Sequence, residues 1–150
     1  MTGRISFRVH GNPKGQPRPR AFSRGGVARV YDPGTAEGWK SEVAIAARPH
    51  IPAVPLTGAL TLVLVFWIAR PKSHFRTGKH ATQLREDAPS RHTSKPDADN
   101  MAKALMDAMT TLGFWQDDAQ IARLEVSKFY VSRVPGVDVT VSDAPDALRA

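Results

Sequence analysis

Cysteine is absent from this chain of 150 residues. That single absence excludes disulfides, thiolate zinc sites and cysteine nucleophiles. Long apolar runs are missing too. The longest, Ala59 to Ala69, is interrupted by Thr61 and falls well short of the ~20 residues that span a bilayer. Arg4, Arg8 and His10 break up the first apolar stretch, so a charged-then-apolar leader is not expected. The expected address is the cytoplasm, with no membrane partner.

Acid is scarcer than base. There are 14 Asp and Glu against 21 Lys and Arg, a net charge of +7. Such an excess points to a polyanionic partner, nucleic acid before others, although basic surfaces also keep small proteins soluble. The hydrophobic fraction is 41% and comes in short blocks, which predicts a compact core. A chain of this length buries enough surface to fold alone, so residues 1–150 are read as one domain.

Ile5 to His10 alternates weakly and predicts a first strand. Residues 11–26, rich in Gly, Pro and Arg, predict an irregular loop, and Val27 to Tyr31 a short strand. Thr35 is a candidate N-cap for a helix reaching about Ala47, with Trp39, Val43 and Ala46 on one face. The β-branched and aromatic run Ala59 to Ala69 predicts a central strand. From about residue 70 to 96 the pattern vanishes. This stretch holds seven Lys or Arg, three of the five histidines and two acids, and a loop so long and basic is expected to be functional or disordered. His74, His80 and His92 read there as solvated loop residues.

Pattern returns at Asn100 to Leu112. Met101, Ala104, Leu105, Ala108 and Leu112 form one helical stripe, with Gly113 as the C′ residue and Phe114 as its apolar partner. Ile121 to Val131 predicts a strand. Val137, Val139 and Val141 predict another, paired with it as a hairpin around Pro135-Gly136. Residues 143–150 are expected to fray.

The chemistry concentrates in Lys95-Pro96-Asp97-Ala98-Asp99-Asn100, followed by Lys103, Asp107 and Asp117-Asp118. If the chain is extended before the helix, Asp97 and Asp99 lie two apart on one side. Asp99 would sit at or beside the N-cap, and Lys103 one turn on, between Asp99 and Asp107. Crowded carboxylates repel, and a hard divalent cation such as Mg²⁺, or Mn²⁺ in its place, relieves that repulsion through oxygen ligands. Asp118 can join only if residues 113–118 run back almost straight along a helix about 20 Å long; otherwise it serves a site built with a second subunit. Each part has a plain structural reading. Asp-x-Asp before a helix is ordinary capping, Asp117-Asp118 a turn, and Lys103 with Asp107 a surface ion pair. Their combination in a basic chain departs from that reading.

The strings Pro96-Asp97-Ala98-Asp99-Asn100, Lys103, Asp107, Gly113-Phe114-Trp115, Asp117-Asp118-Ala119-Gln120-Ile121 and Lys128 resemble the RusA family of Holliday junction resolvases. The basic element Lys14-Gly15-Gln16-Pro17-Arg18-Pro19-Arg20 looks like one found in many members, whereas residues 71–93 look like an insertion. The resemblance implies an α+β two-layer sandwich, a small mixed β-sheet packed by two main helices. It implies a homodimer that resolves four-way DNA junctions by symmetric paired nicks with Mg²⁺, in DNA recombination and repair. Asp97, Asp99 and Asp118 would bind metal, Lys103 would be the essential basic residue, and Asp117 a secondary acid. Where the best-known member has an arginine before the first aspartate, this chain has Pro96. Phosphate contacts are therefore expected from Lys14, Arg18, Arg20, Lys95 and Lys128. The rival readings are a broader flap or fork endonuclease and a non-catalytic DNA-binding protein.

Overall fold

The computed structural model describes residues 3–16, 20–24, 27–31 and 37–145. Its main elements are β1 (Ile5–His10), β2 (Arg20–Arg24), β3 (Val27–Tyr31), α1 (Glu37–Ala47), β4 (Leu60–Ala69), α2 (Ala98–Leu112), β5 (Ile121–Val131) and β6 (Gly136–Asp143). The apolar run that stands out in the sequence is β4, an interior strand. Leu60, Leu62, Leu64 and Phe66 are fully buried on one face of it, while Val63, Val65 and Trp67 are half-buried on the other. Burial of each such side chain contributes about 1.5–3 kcal/mol.

The four-stranded sheet has the order β1-β6-β4-β5. Only β4 and β5 are parallel; β6 is antiparallel to both β1 and β4. The parallel pair needs a crossover, and α2 with the long loop before it provides one. Trp39, Val43 and Ala47 of α1 join Met101, Leu105 and Met109 of α2 over Phe7, Val9, Val137, Val139 and Val141. These strand residues all point to one side, so both helices lie on one face of the sheet and the fold is the expected two-layer α+β arrangement. No helix among the described residues is long and apolar enough to cross a membrane.

The end of α2 follows its sequence closely. Gly113 takes the left-handed conformation (φ 92°), its N–H bonds the Thr110 carbonyl, and the Phe114 N–H bonds the Met109 carbonyl. That is the Schellman pattern. Phe114 and Trp115 turn into the core, and the Trp115 indole N–H donates to Thr110 Oγ1 at 2.7 Å.

Several expectations are corrected. β6 does not form a hairpin with β5. Its Val137, Val139 and Val141 are buried, so the strand lies inside the sheet between β1 and β4, and β5, with Ala122 to Glu125 exposed, takes the edge. Residues 11–26 are not all loop, because β2 pairs antiparallel with β3. Asp143 ends β6 rather than fraying, and the Ala144 N–H bonds the Ala59 carbonyl. The Thr35 cap and residues 146–150 fall outside the described residues.

The stretch 70–96 carries two short 3₁₀ turns, and Arg85 Nε donates to the Ser73 and Phe75 carbonyls. Its last part lies along β5: Tyr130 N–H donates to Ser90 and His92 N–H to Lys128. His92 is therefore buried and not solvated, and both its ring and that of half-buried His74 meet Tyr130 edge-on. A sequence pattern built on helical or strand periodicity carries no trace of such packing.

Candidate active site

Pro96 leads into the acidic turn. Asp97 is the N-cap of α2 with extended backbone (φ −70°, ψ 151°), but its carboxylate makes no capping bond. Ala98 already opens the helix, so Asp99 lies in the first turn, where its Oδ1 accepts from the Asn100 N–H at 2.9 Å. The extended alternation expected to align the two acids thus ends at Asp97. The helix start gathers them instead, and its dipole stabilises both negative charges. Both residues are exposed.

Lys103 stands one turn on, its Nζ 3.8 Å from Asp107 Oδ2. The pair is solvent-accessible and long, hence weak and readily exchanged for another anion. The N-terminal basic segment is fastened to the same helix start. Gln16 N–H donates to the Asn100 carbonyl and Asn100 Nδ2 to the Gln16 carbonyl, each at 3.2 Å. Gly15 lies at this close approach: a Cβ there would come 2.4 Å from Asn100 Nδ2, so the amide would have to shift to admit one. Lys14 is exposed beside this clasp. Arg18 lies outside the described residues, and Arg20 opens β2. Lys95 is exposed just before the turn.

Lys128 has another place. Its ammonium donates to the Ser94 and Pro96 carbonyls, at 3.0 Å each, and so ties β5 to the residue preceding Asp97. An ammonium so engaged positions the acidic turn. Beside it, burial lowers the His92 pKa from its ordinary value of 6.5, the nearby Lys128 charge lowers it further, and the Lys95 backbone opposes both. His92 Nε2 lies 3.3 Å from Ser94 Oγ. Lys128 and Asn100 stand in the family-like strings but not in these supporting roles, and His92 was missed; its closeness in sequence to the acidic string was the one signal that could have flagged it.

Asp118 is half-buried in a 3₁₀ turn at Asp118–Gln120, directly before β5. Asp117 caps that turn in a reciprocal box: its carboxylate accepts from Ala119 N–H, and Gln120 Oε1 accepts from Asp117 N–H. Gln120 Nε2 bonds the Leu56 and Gly58 carbonyls, anchoring the turn at the entry of β4. Asp117 thus holds the turn that carries Asp118. Lys128, which holds the acidic turn, lies seven residues further along β5 than Ile121, roughly 23 Å of strand.

The structure therefore brings Asp97, Asp99, Lys103 and the Lys14 segment to one helix start, and sets Asp118 at the other end of the strand. Among the described residues no three of His, Cys, Asp and Glu form a group that could hold a metal ion. The donors at the helix start still suit a hard cation. They are exposed carboxylates, and that of Asp97 is not spent on capping its helix. Within one chain they supply a pair, not a complete set.

Comparison with known proteins finds relatives over nearly the whole chain. A sequence profile described as endodeoxyribonuclease RusA matches residues 10–142. The chain is 36% identical over 139 residues to the uncharacterized protein YqaN of Bacillus subtilis, covering 93% of this chain and 96% of that protein. It is 40% identical over 47 residues to the crossover junction endodeoxyribonuclease RusA of Escherichia coli K12, a match spanning 31% of this chain and 39% of the relative. The same extent and identity relate it to the enzyme of that name from Enterobacteria phage 82. With nearly the whole chain matched, this protein belongs to the RusA family of endodeoxyribonucleases.

Proposed function

We propose that this chain is a metal-dependent, structure-selective DNA endonuclease that resolves four-way junctions by symmetric paired nicks as a homodimer. The observation that carries the reading is the acidic turn itself. Asp97 and Asp99 are solvent-facing at the start of α2, with Lys103 one turn on and a basic segment clasped alongside. A solely structural helix start would be expected to use its N-cap carboxylate, and this one does not.

In this reading Asp97 and Asp99 of one subunit and Asp118 of the other hold Mg²⁺, for which Mn²⁺ can substitute. Support for the shared arrangement is the lack of any three-acid group within one chain among the described residues. When bound, the ion would activate water and neutralise charge developing on the scissile phosphate. Lys103 exchanges its loose contact with Asp107 for a phosphate oxygen. Lys14 and Lys95, with Arg18 and Arg20, hold the backbone without reading sequence. Lys128 keeps the turn in place, and the protein works in the cytoplasm.

The test is cleavage of a synthetic four-way junction with and without Mg²⁺. Paired nicks related by two-fold symmetry are expected, with none in chelator, and Asp118→Asn should bind the junction without cutting it. Cleavage that persists in chelator, or nicks on forks with none on four-way junctions, would overturn the reading.

A further inference from the structure

β5 is an edge strand whose outer side is covered over only part of its length. Its far half is sealed by the loop, through Tyr130 N–H to Ser90 and Lys128 carbonyl to His92 N–H. Those two bonds show that even-numbered residues of β5 direct their backbone groups outward. The same parity makes Leu124 and Val126 outward-facing, because the strand is regular from Arg123 onward. Among the described residues nothing hydrogen-bonds their outer edge. An open edge with an apolar side chain normally invites another strand, and Leu124 is 43% exposed.

We propose that a second copy of this chain docks here, β5 against β5, antiparallel about a two-fold axis at Leu124. This deepens, and rests on, the homodimer of the preceding section. Charge selects the register. Centring the pair on Leu124 sets Arg123 directly opposite Glu125 of the second copy, and Glu125 opposite its Arg123. Opposite charges across a ladder stabilise it, and like charges destabilise it. Centring on Arg123 or on Glu125 would face like charges instead. Centring on Val126 would drive the second strand into the Ser90–His92 cover. In the single chain Arg123 and Glu125 pair with one another along the strand, exposed and free to exchange partners across the axis. A point-symmetric pair of opposite charges around an exposed leucine is self-complementary, as an isologous interface requires.

The register has a consequence for the acidic turn. Residues whose numbers sum to 248 face each other, so the shared ladder runs between Ala122 and Val126 and stops short of Lys128, whose outer carbonyl already accepts from the His92 N–H. The 3₁₀ turn carrying Asp118 of the second copy then leaves the ladder toward the end of β5 at which Lys128 holds the Pro96 carbonyl. A β-bulge at Ala122, opposite Leu60 and Thr61, interrupts the strand just before that turn.

Because the chain has no native cysteine, Leu124→Cys yields a protein with one thiol. Directly opposed, hydrogen-bonded residues have Cα atoms about 5.5 Å apart, within the disulfide range. Mild oxidation should link Leu124→Cys into a covalent dimer, whereas Ser6→Cys on the opposite edge strand should stay unlinked. In sedimentation, Arg123→Glu and Glu125→Arg should each weaken dimerisation roughly tenfold or more. The double exchange should restore it. A wild-type dimer that neither links through position 124 nor responds to the charge reversals overturns this interface and leaves the homodimer standing. A wild-type monomer that cleaves junctions fully overturns both.

Discussion

Lys128 Nζ donates to the Pro96 carbonyl at 3.0 Å, and to that of Ser94 at the same distance, so one side chain of an edge strand holds the peptide before Asp97. Charged hydrogen bonds of this kind contribute about 1.5–3 kcal/mol each when sheltered, and these are only part-sheltered. Lys128→Met should lower stability by about 1–2 kcal/mol. It should also reduce kcat on junctions about tenfold with KM little changed, because a displaced Asp97 affects the reaction more than binding. Steady-state kinetics across salt concentrations checks this. A raised KM with a shallower salt dependence would make Lys128 a phosphate contact instead.

Gly15→Ala should act at the same helix start from the other side. Its Cβ would meet Asn100 Nδ2 at 2.4 Å and push apart the Gln16–Asn100 clasp. Two hydrogen bonds are at stake, so a loss of about 1–2 kcal/mol is expected, with junction affinity falling as Lys14 moves. Gly136→Ala is harsher. The new Cβ would lie 2.0 Å from the Val9 carbonyl oxygen, a backbone atom fixed between β1 and β6. A loss of about 3 kcal/mol or more is expected, read as a drop in Tm. Unchanged melting of Gly136→Ala would contradict the β1–β6 register.

His92 should make stability depend on pH. Burial, aided by the Lys128 charge, lowers its folded pKa below the unfolded value of about 6.5. Above pH 6.5 both states are neutral there and the native packing is fully available. As pH falls below 6.5 the unfolded chain takes up the proton first, and stability declines until pH passes the folded pKa. Denaturant titrations at pH 7.5 and 5.5 should show this loss, and it should shrink in His92→Phe, which keeps a ring against Tyr130. Equal losses in both proteins would exclude His92 as the source.

The elements legible in sequence were those with strong periodicity or punctuation. β4, the apolar stripe of α2 and the Gly113 ending follow from local patterns, and so does the gathering of Asp97, Asp99 and Lys103 at one helix start. Strand order was not legible. Whether Val137 to Val141 lies beside β5 or inside the sheet depends on which strand can leave an edge exposed, and alternation alone does not contain that comparison. His92 was misread for a related reason: its burial comes from Tyr130, 38 positions away, and from no pattern in its own loop. Asp118 was legible as a residue type but not as a position, since the turn that carries it is fixed by Gln120 reaching the start of β4.

That position gives the sharpest prediction for catalysis. Asp97→Asn and Asp118→Asn should each abolish cleavage when assayed alone, a loss of at least about a hundredfold given the charge each carboxylate supplies. If Asp97 and Asp118 of one site come from different subunits, a mixed dimer behaves differently. One of its sites has both substitutions and is dead, while the other has neither and is intact. Mixing the two inactive proteins under exchange conditions should therefore restore nicking of one strand per junction, up to about half the dimers carrying one live site by random exchange. If both acids of a site belong to the same chain, every site in every mixture lacks one carboxylate. No nicking would then return at any mixing ratio, and the arrangement across subunits would be excluded.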